Sequence, residues 1–186
     1  MAMMGMVPLA VVLLAVAWVI VIYNSLVRQR NEVKSAWSQI DVQLKRRHDL
    51  VPNLVETVKG YAQHERNTLE AVTKARQQAV NFSGDPAATA RVESLLSQTL
   101  KSLFAVAENY PELKADRHFL SLQEELTSTE NRIGFARQYF NDAVLALNNR
   151  IGTFPGNLVA GAFNFREASF FELDTPAPRE APPVRF

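Results

Sequence analysis

The 186-residue sequence predicts an all-α fold: an N-terminal transmembrane helix that continues into an antiparallel, four-helix-bundle-like domain of long helices, the first of them kinked at Pro52. Three observations carry this expectation. From Met1 to Ile22 no side chain is charged. Beyond Asn24, the apolar residues Val33, Trp37, Ile40, Leu44, Val51, Leu54, Val58, Tyr61, Leu69 and Val72 recur mostly at steps of three or four, the spacing of one helical face. The alternation of a half-buried strand is absent throughout.

The uncharged segment, at about 1.5 Å per residue, is long enough to cross a hydrocarbon core of about 30 Å, so residues 1–23 read as a membrane anchor. Ala15-Val16-Ala17 has the form of a signal-peptide cleavage site, but no Lys or Arg precedes the run and hydrophobicity continues through Ile22. The aromatics Trp18 and Tyr23 fall where amphipathic rings favour the membrane interface. Arg28, Arg30 and Lys34 follow the span against Glu32 alone, which puts the N-terminus outside and the remaining domain in the cytoplasm. Arg28 and Arg30 lie within reach of lipid head groups.

Residues 24–173 read as the bundle domain. Pro52 removes a backbone hydrogen bond and crowds the preceding turn. Because the stripe keeps its phase across it, the helix is expected to kink there and run on to about Ala79, supplying two of four bundle positions. Phe82-Ser83-Gly84 forms a loop, Asp85 caps the next helix and Pro86 takes its first position. That helix carries Val92, Leu95, Leu96, Thr99, Leu103 and Val106 and stops before Pro111. A short link leads to Asp116, the cap of a long helix built on Phe119, Leu122, Leu126, Ile133, Ala136, Phe140, Val144, Leu147 and Ile151. Short links imply antiparallel neighbours. Residues 154–173, with Phe163, Phe165, Phe170 and Phe171, read as a short helix and an aromatic flap over one end of the bundle, or as a membrane or protein contact. Pro176, Pro178, Pro182 and Pro183 make 174–186 a disordered tail.

Composition removes several functions. With no cysteine there is neither a disulfide framework, a thiolate metal site nor a cysteine nucleophile. A net charge of +1 argues against nucleic-acid binding. The residues three before His48, His64 and His118 are Lys45, Tyr61 and Ala115, so the Glu-x-x-His pairs of a di-metal bundle are missing. No metalloprotease motif, phosphate loop or nucleophile elbow occurs. The expectation is a protein without enzymatic activity or cofactor.

Lys45-Arg46-Arg47-His48 is the strongest electrostatic feature. A straight helix would hold Arg46 roughly 35 Å beyond Tyr23, far outside a screening length of about 8 Å. Lipid is therefore disfavoured as its partner unless the helix bends back or lies on the surface, which leaves a solvated face or a subunit contact with acidic residues such as Glu124 and Glu125. The frequent asparagines Asn53, Asn109, Asn131, Asn141, Asn148 and Asn149 would set register wherever they face inward. Candidate interaction residues are Lys45, Arg46, Arg47, Asp49, Pro52, Asn53, Phe163, Phe165, Phe170 and Phe171; Trp18, Tyr23, Arg28 and Arg30 are the membrane-interface candidates.

Two blocks of residues resemble the LemA family. The first runs from Tyr23-Asn24-Ser25-Leu26-Val27 through Ala36-Trp37 and Ile40-Asp41-Val42-Gln43-Leu44-Lys45-Arg46-Arg47 to Asp49-Leu50-Val51-Pro52-Asn53-Leu54-Val55, Gly60-Tyr61 and His64-Glu65. The second takes in Tyr139-Phe140-Asn141, Asn148, Ile151, Phe154-Pro155, Asn157, Val159-Ala160, Phe163 and Phe171-Glu172. The resemblance implies a bacterial, membrane-anchored helical protein with no established enzymatic activity. The leading expectation is a single-pass scaffold of the bacterial inner membrane, coiled-coil-like in its packing, that associates with copies of itself or with envelope proteins. Alternatives are a sensing or signalling adaptor hinged at Pro52, and a metal-dependent hydrolase built from His48, Asp49, His64 and Glu65.

Overall fold

A computed structural model describes residues 2–172, with side chains from residue 9; the proline-rich segment 174–186 lies outside the described residues. Six helices follow in order: α1 (Ala2–Tyr61), α2 (Arg66–Asn81), α3 (Pro86–Ala107), α4 (Pro111–Ala115), α5 (Arg117–Gly152) and α6 (Gly156–Ala162). An irregular strip then runs to residue 172. Among the described residues there is no strand, and the all-α expectation holds.

α1 spans 60 residues, about 90 Å at 1.5 Å per residue. Its N-terminal part carries the apolar window of a membrane span, and Leu9, Val12, Leu14, Ile20 and Val21 are all exposed. Exposed apolar surface on that scale fits a lipid environment. The chain is thus a helical protein with a membrane-anchor-like N-terminus. From Ile22 onward one face of the same helix is buried.

The expected continuation to Ala79 is corrected: α1 ends at Tyr61 and α2 folds back from Arg66. Ala62 through Glu65 make the turn, closed by Ala62 N–H to the Val58 carbonyl at 2.8 Å and Glu65 N–H to the Ala62 carbonyl at 3.1 Å. Glycine at position 60 weakens the helix just before it. Tyr61 and Glu65 are then held from outside, the Tyr61 hydroxyl by Asp116 Oδ2 at 2.9 Å and Glu65 Oε1 by the Tyr110 hydroxyl at 3.1 Å. The four bundle positions therefore belong to α1, α2, α3 and α5.

Both expected caps form. Asp85 accepts from Ala88 N–H at 2.7 Å with Pro86 opening α3, and Asp116 accepts from Phe119 N–H at 2.8 Å. The latter bond, with the Tyr61 hydroxyl, holds the Asp116 carboxyl below its ordinary range. The link between α3 and α5 folds into the short helix α4 because Pro111 is pre-set for a first helical turn.

α1 and α5 run antiparallel along most of their length. Tyr61 pairs with Asp116, Arg47 with Glu130 and Trp37 with Phe140, so one number rises as the other falls. Three clusters mark the core along this axis. Farthest from the apolar span, Leu54, Val58, Val72, Leu96, Leu103 and Leu113 join α1, α2, α3 and α4. In the middle, Ala36, Ile40, Phe140, Val144 and Phe171 join α1, α5 and the strip. Nearest the span, Ile22 and Leu26 meet Val159 and Ala160 of α6. Gly156 is required at the α5–α6 corner, since a Cβ there would collide with the Arg150 carbonyl oxygen.

Candidate functional site

Pro52 lies inside α1 without ending it. A proline cannot donate to the carbonyl four residues back, here that of His48, and its ring pushes that carbonyl outward. The freed oxygen is taken by a neighbouring helix: Arg76 Nε of α2 donates to the His48 carbonyl at 2.6 Å. The carbonyl that Pro52 leaves without a helical donor and the guanidinium of α2 form one device. Replacing Arg76 by methionine should cost about 1–3 kcal/mol by leaving a partly buried acceptor unpaired. In a Pro52→Ala background, where a backbone N–H is restored, the same change should cost much less; equal losses in both backgrounds, measured by denaturant unfolding, would break the link.

One turn earlier the basic run enters the core. Arg47 is only 2% exposed, which corrects its reading as part of a solvated face or a partner contact. Its Nη1 donates to Ser97 Oγ at 2.9 Å and to Glu130 Oε2 at 2.8 Å, and its Nη2 pairs with Glu93 Oε2. Glu93, also 2% exposed, receives Nε2–H of His48 on Oε1 at 2.8 Å. Burial alone pushes the Glu93 carboxyl up; the His48 hydrogen bond and the Arg47 charge outweigh it and hold the group below its ordinary value. A carboxylate and a guanidinium removed from water together are tolerated because each offsets the other's charge, with Arg47 Nε alone left without a hydrogen-bond partner on that side chain. This cluster ties α1 to α3 and α5 at one level.

The remaining basic residues behave differently. Lys45, Arg46, Asp49 and Asn53 are exposed. Arg46 pairs with Glu125 of its own chain at 3.6 Å, with both side chains about half exposed, a contact of small energy. Lys45, His48 and Asp49 line a cleft of about 420 Å³ with Asp41, Arg76 and Glu93.

The two inward asparagines of α5 do more than fix register. Asn148 receives Ala168 N–H at 2.9 Å and donates to the Ala168 carbonyl at 3.0 Å. Asn141 treats Phe171 identically, at 2.9 and 3.2 Å. Seven helical residues rise about 10 Å, and three nearly extended residues cover about 10 Å, so two turns of α5 match three residues of strip. Each amide replaces the partner a β-ladder would provide. Sequence patterning missed this pairing, although the seven-residue spacing of Asn141 and Asn148 is visible in it.

The strip brings Phe171 to full burial between Trp37, at 5.6 Å between ring centroids, and Phe140. Its reading as an interaction residue is thereby corrected: the ring is spent inside the fold. Phe170 is half-buried against the same cluster. Phe165 packs on Tyr23 at 5.8 Å with the Arg30 guanidinium 5.2 Å from its centroid, and Phe163 lies 4.8 Å from Tyr23 while remaining exposed. Trp18 and Arg28 are exposed, whereas Tyr23 is half-buried under these rings.

His48, Asp49, His64 and Glu65 are not brought together. His48 is engaged with Glu93, and the helix from His48 to Tyr61 alone separates the two ends by about 20 Å. Among the described residues no group of three or more His, Asp or Glu side chains could hold a metal ion.

The LemA family's sequence profile matches residues 36–186. Protein LemA of Metamycoplasma hominis is 28% identical over 149 residues, covering 80% of this chain and 68% of that protein. Magnetosome protein MamQ 1 of Paramagnetospirillum magneticum is 25% identical over 191 residues, covering 87% of this chain and 70% of that protein. Magnetosome protein MamQ of Magnetospirillum gryphiswaldense is 23% identical over 184 residues, covering 83% and 67% respectively.

Proposed function

The chain belongs to the LemA family, and from that premise we propose that it is a non-enzymatic, single-pass scaffold of the bacterial inner membrane, its bundle in the cytoplasm and its copies associating side by side. The observation that carries the proposal is the single helix α1, which is exposed and apolar at one end and a bundle helix at the other. A bundle fixed to its anchor in this way presents the same face at the same height above the bilayer in every copy. Tethering in a plane raises effective concentration, so a modest lateral surface suffices for association.

The face best suited is the one α2 and α3 leave uncovered. Val42 of α1 and Phe135 and Tyr139 of α5 are exposed there and border a shallow groove with Arg132 and Ala136. Phe135 is 75% exposed, a large apolar ring in water on a helix whose other phenylalanines, Phe119 and Phe140, are buried. Ser38, Gln39 and Gln43 of α1 complete the lining of the groove with polar side chains. A contact of this kind is isologous, each copy offering the other the same patch.

The chain has no cysteine, so single-cysteine variants report without background. In membranes holding the full chain, Phe135→Cys should give dimers with a short bis-maleimide, while Lys101→Cys on α3 should not. Equal yields at both positions, together with a monomeric detergent-solubilised protein, would remove self-association from the proposal. A signalling role hinged at Pro52 is less favoured, because the backbone group the proline frees is braced by Arg76.

A further inference from the structure

The α5–α6 corner leaves three large apolar side chains in water. Phe154 is 75%, Leu158 62% and Phe163 55% exposed. Leu158 lies within α6 and Phe154 four residues earlier, just before it, while Val159 and Ala160 of the same helix are buried. A seven-residue helix with one face packed and the other apolar in solvent has no reason to be so built unless that face meets another apolar phase.

The level of the corner identifies that phase. The buried face of α6 packs on Ile22 and Leu26, with Val19 and Tyr23 alongside. Val19 and Ile22 belong to the uncharged run that forms the apolar span, and Tyr23 is its first aromatic successor. α6 is therefore seated against the last turns of the anchor itself, and its outer face continues the anchor's apolar surface sideways. Charge around the corner has the matching sign: residues 23–34 and 150–167 hold Arg28, Arg30, Lys34, Arg150 and Arg166 against Glu32 and Glu167. Cations beside an apolar wedge are the composition of a surface that rests on anionic head groups.

We propose that Phe154, Leu158 and Phe163 insert into the interfacial layer of the same bilayer that holds α1, so that the bundle stands on two feet rather than one. The second foot fixes how the domain is rotated and tilted about its anchor. It also assigns the aromatic region two separate roles, with Phe165, Phe170 and Phe171 closing the bundle and Phe163 facing lipid. The inference needs the anchor to be membrane-inserted but does not need self-association.

The test uses the full cysteine-free chain in vesicles of zwitterionic and anionic phospholipid, with an environment-sensitive fluorophore on Leu158→Cys, on Phe154→Cys as a second variant, on Trp18→Cys as an anchor reference and on Lys101→Cys, exposed on α3, as a distal control. Interfacial helices reach about 5–10 Å below the surface, so lipid-borne quenchers should act on the corner probes at least about threefold more strongly than on the distal probe, and aqueous iodide correspondingly less. Two results would overturn the proposal while Trp18→Cys remains lipid-quenched: corner probes as open to iodide as the distal one, or corner probes shielded from both quenchers, which marks a protein partner instead. Loss of lipid quenching at Trp18→Cys would overturn the anchor and this inference together, and leaves the crosslinking outcome at Phe135 separately readable.

Discussion

Replacing Glu93 by glutamine should destabilise the bundle by about 3–5 kcal/mol, because it leaves the buried Arg47 charge with only the half-exposed Glu130 carboxylate against it. For a chain of this size that corresponds to a fall of roughly 6–20 °C in the unfolding midpoint. The comparison with Glu130 makes the prediction specific. Both carboxylates touch the same guanidinium, but Glu130 is about half exposed while Glu93 is buried. Water can replace Glu130, so Glu130→Gln should cost no more than about 1 kcal/mol. A double change of Arg47→Met with Glu93→Leu removes both charges and should recover much of the single variant's loss. Similar midpoints for Glu93→Gln and Glu130→Gln would mean that the cluster is not held as described.

The same group sets a pH dependence. The folded carboxyl of Glu93 lies below its ordinary value of 4.5, so the folded state binds its proton less readily than the unfolded chain. Its contribution is complete above the ordinary value and is lost as pH falls through the lowered one. The wild-type midpoint should therefore drop on acidification below that value, and the drop should be shallower in Glu93→Gln. It will not vanish, since Asp116 is lowered in the same direction.

Phe171→Ala should cost about 3–5 kcal/mol if the fold stays closed over the resulting cavity. The strip offers a cheaper response. It is tied by the Asn141 and Asn148 amides and by Phe171 itself, so losing the ring leaves two paired amides to hold an otherwise irregular segment. The expected result is release of residues 163–172 with the helices intact: helical content unchanged, fast hydrogen exchange across the strip, and red-shifted emission of Trp37 in a Trp18→Phe background. Trp37 is the reporter because Phe171 and Phe140 are its ring neighbours. Unchanged emission and protected strip amides would show that the ring does not close this part of the core.

How much of this was legible in the sequence depends on the kind of signal. The apolar stripes, the Asp85-Pro86 and Asp116 starts and the uncharged N-terminus each rest on local rules that tertiary packing did not override. The end of α1 was missed because no proline marks it; the turn at Ala62 is held by Tyr110 and Asp116, which are remote in the chain. The buried pair was missed because charge was read as surface. Its signal was nonetheless present in spacing: Arg47 falls between Leu44 and Val51 on the apolar phase of α1, and Glu93 between Ala90 and Leu96 on that of α3. Opposite charges placed in two facing stripes predict a buried pair. The aromatic block could be read only as one object, and the structure divides it by depth, from Phe171 without exposure to Phe163 mostly outside.

The unbroken course of α1 turns the anchor into a lever. From Ile22 to Tyr61 the helix measures about 58 Å at 1.5 Å per residue, with no loop in between to absorb a change of angle. A change of about 10° in the tilt of its apolar part, the ordinary response of a spanning helix to altered bilayer thickness, would sweep the far end of the bundle sideways by roughly 10 Å. With the anchor seated in a bilayer as proposed, membrane thickness would thereby be converted into lateral displacement.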